Sequence, residues 1–234
     1  VGCPNLGDKQ VFLGWVDKIW KSKRLSNDGP VVQEFEKQVQ QFLGVKHAIA
    51  VCNATTGIQI LANAVFGTYS RVWVPSFTFA ATVYALDWAG FVPDFVDIDP
   101  KTHNVLPIFS SHAPLLATHL WGRPCPIDEL VEKNKTVLIF DAAHAFGCSY
   151  KGKMIGNFGA GEVFSFHATK FINSFEGGMI TTNNDETAEK CRLLRNFGFV
   201  GYDDSVATGI NGKMSEVHAA MGLCSLGSFD RFVE

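Results

Sequence analysis

The sequence has six cysteines, at positions 3, 52, 125, 148, 191 and 224, but no CxxC pair. No Cys/His cluster has the spacing of metal ligands, so a structural zinc site has no signal here. The cysteines read as reduced, mostly buried side chains of a cytoplasmic protein. No apolar run approaches the length of a membrane span, and the opening residues carry no signal-peptide pattern. Charge is also scarce. Only 18% of residues are charged and the net charge is −3, too small to draw the chain to nucleic acid or to a membrane. The one basic cluster, Lys21-Ser22-Lys23-Arg24, fits a helix end. Gly156, Gly159 and Gly161 do not form GxGxxG, and they precede a strand rather than follow one, so a dinucleotide fingerprint is not supported. There is no internal repeat, low-complexity tract or interdomain linker.

What is present is an ordinary apolar content of 47% in 234 residues, enough to bury the core of one large α/β domain. Residues 11–23 carry a helical apolar stripe through Phe12, Trp15, Val16 and Ile19. A turn-rich segment follows, and Pro30 is placed to open the next helix, which Gly44 ends. Residues 46–52 read as a strand that runs into Asn53-Ala54-Thr55-Thr56-Gly57 and then a helix. A strand, a small polar turn and a helix start make an anion site, with Thr55 and Thr56 adding hydroxyl donors. Simple helix capping by Asn53 fits the same residues. Further strands are expected at 71–74, 91–96, 115–119, 136–140 and 163–166. Helices are expected at 80–89, 126–133, 186–196 and 214–226. Residues 181–185 read as a turn and helix cap, and 198–211 as a long loop.

The organising stretch is residues 164–180, FSFHATKFINSFEGGMI. A short apolar strand delivers Lys170 to its mouth. Phe171 and Phe175 are expected to wall it off from water, and Gly177-Gly178 to let backbone pass close to something. A lysine among aromatics is costly as a charged ammonium, and makes sense if the amine is used covalently as a Schiff base. A lysine snorkelling to solvent from a strand end would read the same way. In open α/β sheets the ligand site lies beyond the carboxyl ends of the strands. Asn53, the 76–79 segment, Asp141 and Lys170 all fall at such ends, although Asp141 alone would also suit a helix cap.

The motifs Pro75-Ser76-Phe77-Thr78-Phe79-Ala80-Ala81-Thr82, Asp141-Ala142-Ala143-His144 and residues 164–178 occur in one order. So do Asn53-Ala54-Thr55, His119-Leu120-Trp121-Gly122 and Asn211-Gly212-Lys213-Met214-Ser215-Glu216. With them the chain resembles the DegT/DnrJ/EryC1/StrS family of sugar aminotransferases, of fold type I, from about Pro4 to its last residues. The resemblance implies a three-layer α/β/α domain with a mostly parallel sheet. It implies pyridoxal 5'-phosphate as cofactor, with Lys170 as the Schiff-base lysine and proton shuttle. Asp141 matches the carboxylate that faces the pyridine nitrogen, and His144 the residue at the ring hydroxyl, often Gln in relatives. Phe79 matches the aromatic on the ring face; Ala54, Thr55 and Ser165 match the phosphate site. Asn211 matches a residue that reaches the cofactor phosphate of a neighbouring subunit, which implies a homodimer with shared sites. Lys213 stands where many relatives carry arginine, keeping a positive charge but giving up the bidentate fork.

The implied reaction moves an amino group from glutamate to a dTDP- or UDP-linked 4-keto-6-deoxyhexose, in polysaccharide or O-antigen biosynthesis. The 171–175 insert resembles the subset acting at C4. Family dehydratases carry histidine in place of the lysine, so Lys170 points to transamination. Relatives continue beyond the point where this sequence stops. The expectation is therefore that residues 1–234 form the cofactor-binding large domain with an N-terminal helical segment, without the smaller C-terminal domain. The alternative is a truncated, non-catalytic cofactor-binding or regulatory homologue.

Overall fold

Apolar residues alternate along each central strand, and that alternation builds the architecture. In the computed structural model, which describes residues 4–107, 113–133, 136–202 and 204–234, strand β5 (Leu138–Asp141) turns Ile139 to one face. Its neighbours Leu138 and Phe140 go to the other. Strand β1 (His47–Val51) divides Ile49 and Val51 from Ala48 and Ala50 in the same way. A sheet that is apolar on both faces must be covered on both, and it is. The other strands are β2 (Arg71–Pro75), β3 (Val92–Val96), β4 (Leu115–Thr118), β8 (Gly161–Ser165) and β9 (Gly178–Thr182). Their order across the seven-stranded sheet is β1-β9-β8-β5-β4-β2-β3. The run from β8 through β5, β4 and β2 to β3 is parallel, whereas β9 is antiparallel to both β1 and β8. The result is the expected three-layer α/β fold with a mostly parallel sheet.

Helices α3 (Ala54–Phe66), α4 (Ala80–Trp88) and α6 (Asp185–Arg195) cover one face. Helices α2 (Pro30–Leu43), α5 (Ile127–Lys133) and α7 (Glu216–Leu226) cover the other. Helix α1 (Lys9–Ser22) lies on α7, and α8 (Phe229–Val233) closes the described chain. Among the described residues no helix is long and apolar enough to cross a membrane.

Several expectations about local structure need correction. Residues 181 and 182 are not a turn but the end of β9, where both threonines are buried. The expected loop at 198–211 contains a hairpin of β10 (Phe199–Val200) and β11 (Asp204–Ser205). A second hairpin, β6 (Ser149–Tyr150) with β7 (Lys153–Met154), was not foreseen. Helix α7 begins at Glu216, two residues later than expected, with Ser215 at its cap, and the Glu216 side chain reaches across to α2. It is fully buried, and its carboxylate accepts the backbone N–H groups of Val31 and Val32 at 3.0 and 2.9 Å. That satisfies two free donors at the start of α2, whose own cap residue is Gly29. Five cysteines are free thiols, and Cys3 lies outside the described residues.

Candidate active site

Five strand ends meet at one cavity of about 430 Å³. The residues lining it include Asn53, Ala54 and Thr55 after β1, Phe79 after β2, Thr118 and His119 from β4, and Asp141 and His144 from β5. Ser165, His167, Thr169, Lys170 and Glu176 come from β8 and the segment beyond it. Of the site residues expected from sequence, Ala54, Thr55, Phe79, Asp141, His144, Ser165 and Lys170 share this cavity. Asn211 does not line it. That residue is exposed and its backbone bridges Asn196.

The anion end is built by α3. Asn53 caps the helix, its side-chain oxygen accepting from Thr56 N–H at 2.8 Å. Among the described residues the N–H groups of Ala54 and Thr55 have no protein acceptor, so capping by Asn53 leaves two donors at the start of α3 unused. Thr55 faces the cavity; Thr56 lies against Gly212 instead. Gly178 explains why backbone had to pass closely: a Cβ there would meet Ala54 N at 2.7 Å and the Asn53 carbonyl carbon at 2.8 Å.

Asp141 ends β5 and is 5% exposed. One carboxylate oxygen accepts from Thr82 Oγ1 at 2.7 Å, the other from Ala143 N–H at 3.0 Å. It does cap a local N–H, as a strand-end aspartate often does, yet it also lines the cavity. Burial lowers the pKa of Lys170 from its ordinary value, and the charge of Asp141 opposes that shift. His144 is also pushed down, first by burial and then by Lys170, with Asp141 acting the other way.

Phe79 stands at the cap of α4 and is 73% exposed, an apolar wall left open on the cavity side. The aromatics expected around Lys170 divide. Phe171 lines a smaller cavity of about 190 Å³ beside Lys170 and packs on Phe229. Phe175 turns away, edge-on to Phe12 at 5.7 Å, so it is not a wall of the main cavity. Lys213 lies outside the cavity as well, over the Phe197 ring at 4.5 Å.

Sequence reasoning did not single out Thr118, His119 or Glu176 for the site. Position at a strand end was the available signal for the first two. His119 is fully buried and stacks on Phe140 with centroids 4.7 Å apart. Its Nδ1 accepts from Cys125 N–H at 3.0 Å, so its proton sits on Nε2, facing Glu162 at 3.2 Å. Glu162 is buried too, and also accepts from Gly156 and Phe158 N–H. This network holds the floor of the site. Glu176 is exposed and pairs with His167 at 3.4 Å at the cavity's edge.

The model of the DegT/DnrJ/EryC1/StrS aminotransferase family matches residues 8–234. The chain is 38% identical over 249 residues to the dTDP-4-amino-4,6-dideoxy-D-glucose transaminase of Shigella dysenteriae, covering 98% of this chain and 65% of that protein. It is 35% identical over 247 residues to the GDP-perosamine synthase of Caulobacter vibrioides, again covering 98% of this chain and 65% of the relative. The crystal structure of DesI in the presence of its TDP-sugar product superimposes with a TM-score of 0.91 at 47% identity. That match covers 99% of this chain and 61% of DesI. The chain thus spans just under two thirds of the length of these relatives.

Proposed function

Because the chain belongs to the DegT/DnrJ/EryC1/StrS aminotransferase family, whose members depend on pyridoxal phosphate, we propose that it is a nucleotide-sugar aminotransferase. In this reading it moves an amino group from glutamate to a dTDP- or UDP-linked 4-keto-6-deoxyhexose in the cytoplasm. The observation that carries the proposal is one cavity uniting the Lys170 amine, the Asp141 carboxylate and the open N-terminus of α3.

The residues fit the cofactor. Free N–H groups and a helix dipole suit its phosphate, and the close approach at Gly178 leaves no room for a side chain against that turn. When bound, pyridoxal phosphate supplies an aldehyde for an amine and a ring that accepts electrons. Ala54 and Thr55 N–H and the Ser165 hydroxyl would hold the phosphate. Phe79 would cover the ring face, and His144 would meet the ring hydroxyl. Asp141 would keep the ring nitrogen protonated, since an anion beside it favours the charged form.

Lys170 Nζ is the group placed to take the proton from Cα of the donor. A base must first be neutral, and burial lowers the cost of that state for Lys170. Asn211, exposed and outside this chain's own cavity, is proposed to complete the phosphate site of a second copy, making the enzyme a homodimer. Residues 1–234 are proposed as the cofactor-binding large domain of the enzyme.

The test is direct. The chain is loaded with pyridoxal phosphate, reduced with borohydride and mapped by mass spectrometry. It is separately given glutamate and then dTDP-, UDP- or GDP-linked 4-keto-6-deoxyhexose, the GDP sugar because one relative is a GDP-perosamine synthase. Cofactor fixed on Lys170, with 2-oxoglutarate and a dTDP- or UDP-amino sugar formed, supports the proposal. Labelling elsewhere, or no transfer from glutamate, contradicts it. A strict preference for the GDP sugar would overturn the nucleotide assignment.

A further inference from the structure

Three threonines form a chain that ends on Asp141. Thr82 Oγ1 lies 2.7 Å from Asp141 Oδ2, Thr78 Oγ1 lies 2.9 Å from Thr82 Oγ1, and Thr118 Oγ1 lies 3.0 Å from Thr78 Oγ1. Each hydroxyl has a single proton to give. An ionised Asp141 can only accept, so Thr82 spends its proton there. Thr78 must then donate to Thr82, and Thr118 to Thr78. The chain has one direction, from the end of β4, through the loop after β2, to the end of β5.

Its placement is specific. Thr82 sits in α4 with no exposed surface, where an unused hydroxyl would be costly. Thr82 lies in the first turn of α4, and its hydroxyl is bonded to side chains, Thr78 on one side and Asp141 on the other. Ala143 N–H takes the other Asp141 oxygen at 3.0 Å. With one donor on each oxygen, the carboxylate cannot rotate without breaking a hydrogen bond, and its remaining lone pairs are left for the cavity. Thr78 immediately precedes Phe79, so the same chain ties the loop bearing the aromatic wall to the acid.

We propose that Thr82, supported by Thr78 and Thr118, is a positioning residue. It fixes the direction of the Asp141 carboxylate and sets it relative to Phe79. This rests on the reading of Asp141 as the cofactor's ring-nitrogen partner. Hydrogen bonds to a charged acceptor strengthen along a donor chain and stabilise the charge.

The experiment measures the pyridoxal phosphate dissociation constant of the full chain by absorbance titration, with the melting temperature of the cofactor-free protein as a fold control. Thr82→Val keeps the shape and removes the hydroxyl; it is expected to weaken binding about tenfold or more, the scale of a lost hydrogen bond to a charged group. Thr82→Ser restores the hydroxyl and is expected to bind within about twofold of wild type. Asp141→Asn is expected to weaken binding by itself. Adding Thr82→Val to it should cost no more than about a further factor of two, because both changes act through one group.

Wild-type affinity in Thr82→Val overturns the inference. So does a Thr82→Ser that fails like the valine variant, or full additivity with Asp141→Asn. If Thr82→Val does not fold, Thr78→Val carries the same test, with a smaller loss of the same sign expected and unchanged affinity contradicting it. A wild-type chain that takes up no pyridoxal phosphate overturns the functional reading together with this inference. Uptake that depends on Asp141 but not on Thr82 overturns this inference alone.

Discussion

Gly178 and Ala54 approach backbone to backbone, so closely that a methyl group on Gly178 would stand 2.7 Å from the Ala54 nitrogen. Gly178 is the first residue of β9 and pairs with Val51 of β1 and Ser165 of β8. It therefore pins the turn after β1 against the sheet, where α3 presents its free N–H groups. Gly178→Ala is expected to push that turn outward. Overpacking of this kind costs about 1–3 kcal/mol, which in a chain of this size lowers the melting temperature by about 2–4 °C for each kcal/mol. Affinity for pyridoxal phosphate should fall by more than the stability change explains. Calorimetry of the cofactor-free protein and an absorbance titration measure the two separately. A variant that is destabilised but binds with wild-type affinity would detach the turn from the phosphate.

His144 makes stability depend on pH. Burial and Lys170 lower its pKa below the ordinary 6.5. The unfolded chain therefore binds a proton more readily than the folded one. Stability contributed by neutral His144 is present above pH 6.5 and is lost as pH falls from there through the folded value. His144→Gln removes this dependence. Denaturant melts of wild type and variant should converge near neutrality and separate in favour of the variant below pH 6. Parallel curves across that range would contradict the assignment.

Glu216 supports the N-terminus of α2 from 185 residues away in sequence. Truncation to alanine leaves the Val31 and Val32 donors buried without an acceptor. A lost charged cap of this kind costs about 1.5–3 kcal/mol, so the melting temperature should drop by about 3–12 °C. Cofactor affinity should change little, because Glu216 does not line the cavity. Gly29 belongs to the same arrangement: a Cβ on it would meet the Glu216 carboxyl carbon at 2.6 Å.

These features mark where sequence reading succeeds and where it stops. The β1 strand, Asn53 and α3 were legible because an apolar run, a capping residue and a helix lie next to one another. Asp141 and Lys170 were legible because each follows an apolar strand, and in a parallel sheet such ends share one rim. Strand β9 was missed because Thr181 and Thr182 have the composition of a turn, yet both are buried, and Thr182 donates to the Ala160 carbonyl at 2.8 Å. Phe175 was misplaced because spacing along a loop does not say where a side chain points; its φ of 63° turns it toward Phe12. The Thr82–Asp141, His119–Glu162 and Glu216–Val31 contacts join residues 59, 43 and 185 positions apart. No local pattern encodes such pairs; they exist only once the sheet has assembled.

The most direct measurement is the visible absorption spectrum of the purified chain with pyridoxal phosphate, before and after glutamate, beside that of Lys170→Ala. Wild type is expected to show a band of covalently held cofactor that bleaches when glutamate is added, with 2-oxoglutarate released. Lys170→Ala should keep its fold and show no such band. A band that survives in Lys170→Ala would contradict the role given to that lysine. A wild-type band indifferent to glutamate would contradict transamination by this chain and leave a protein that binds the cofactor without using it.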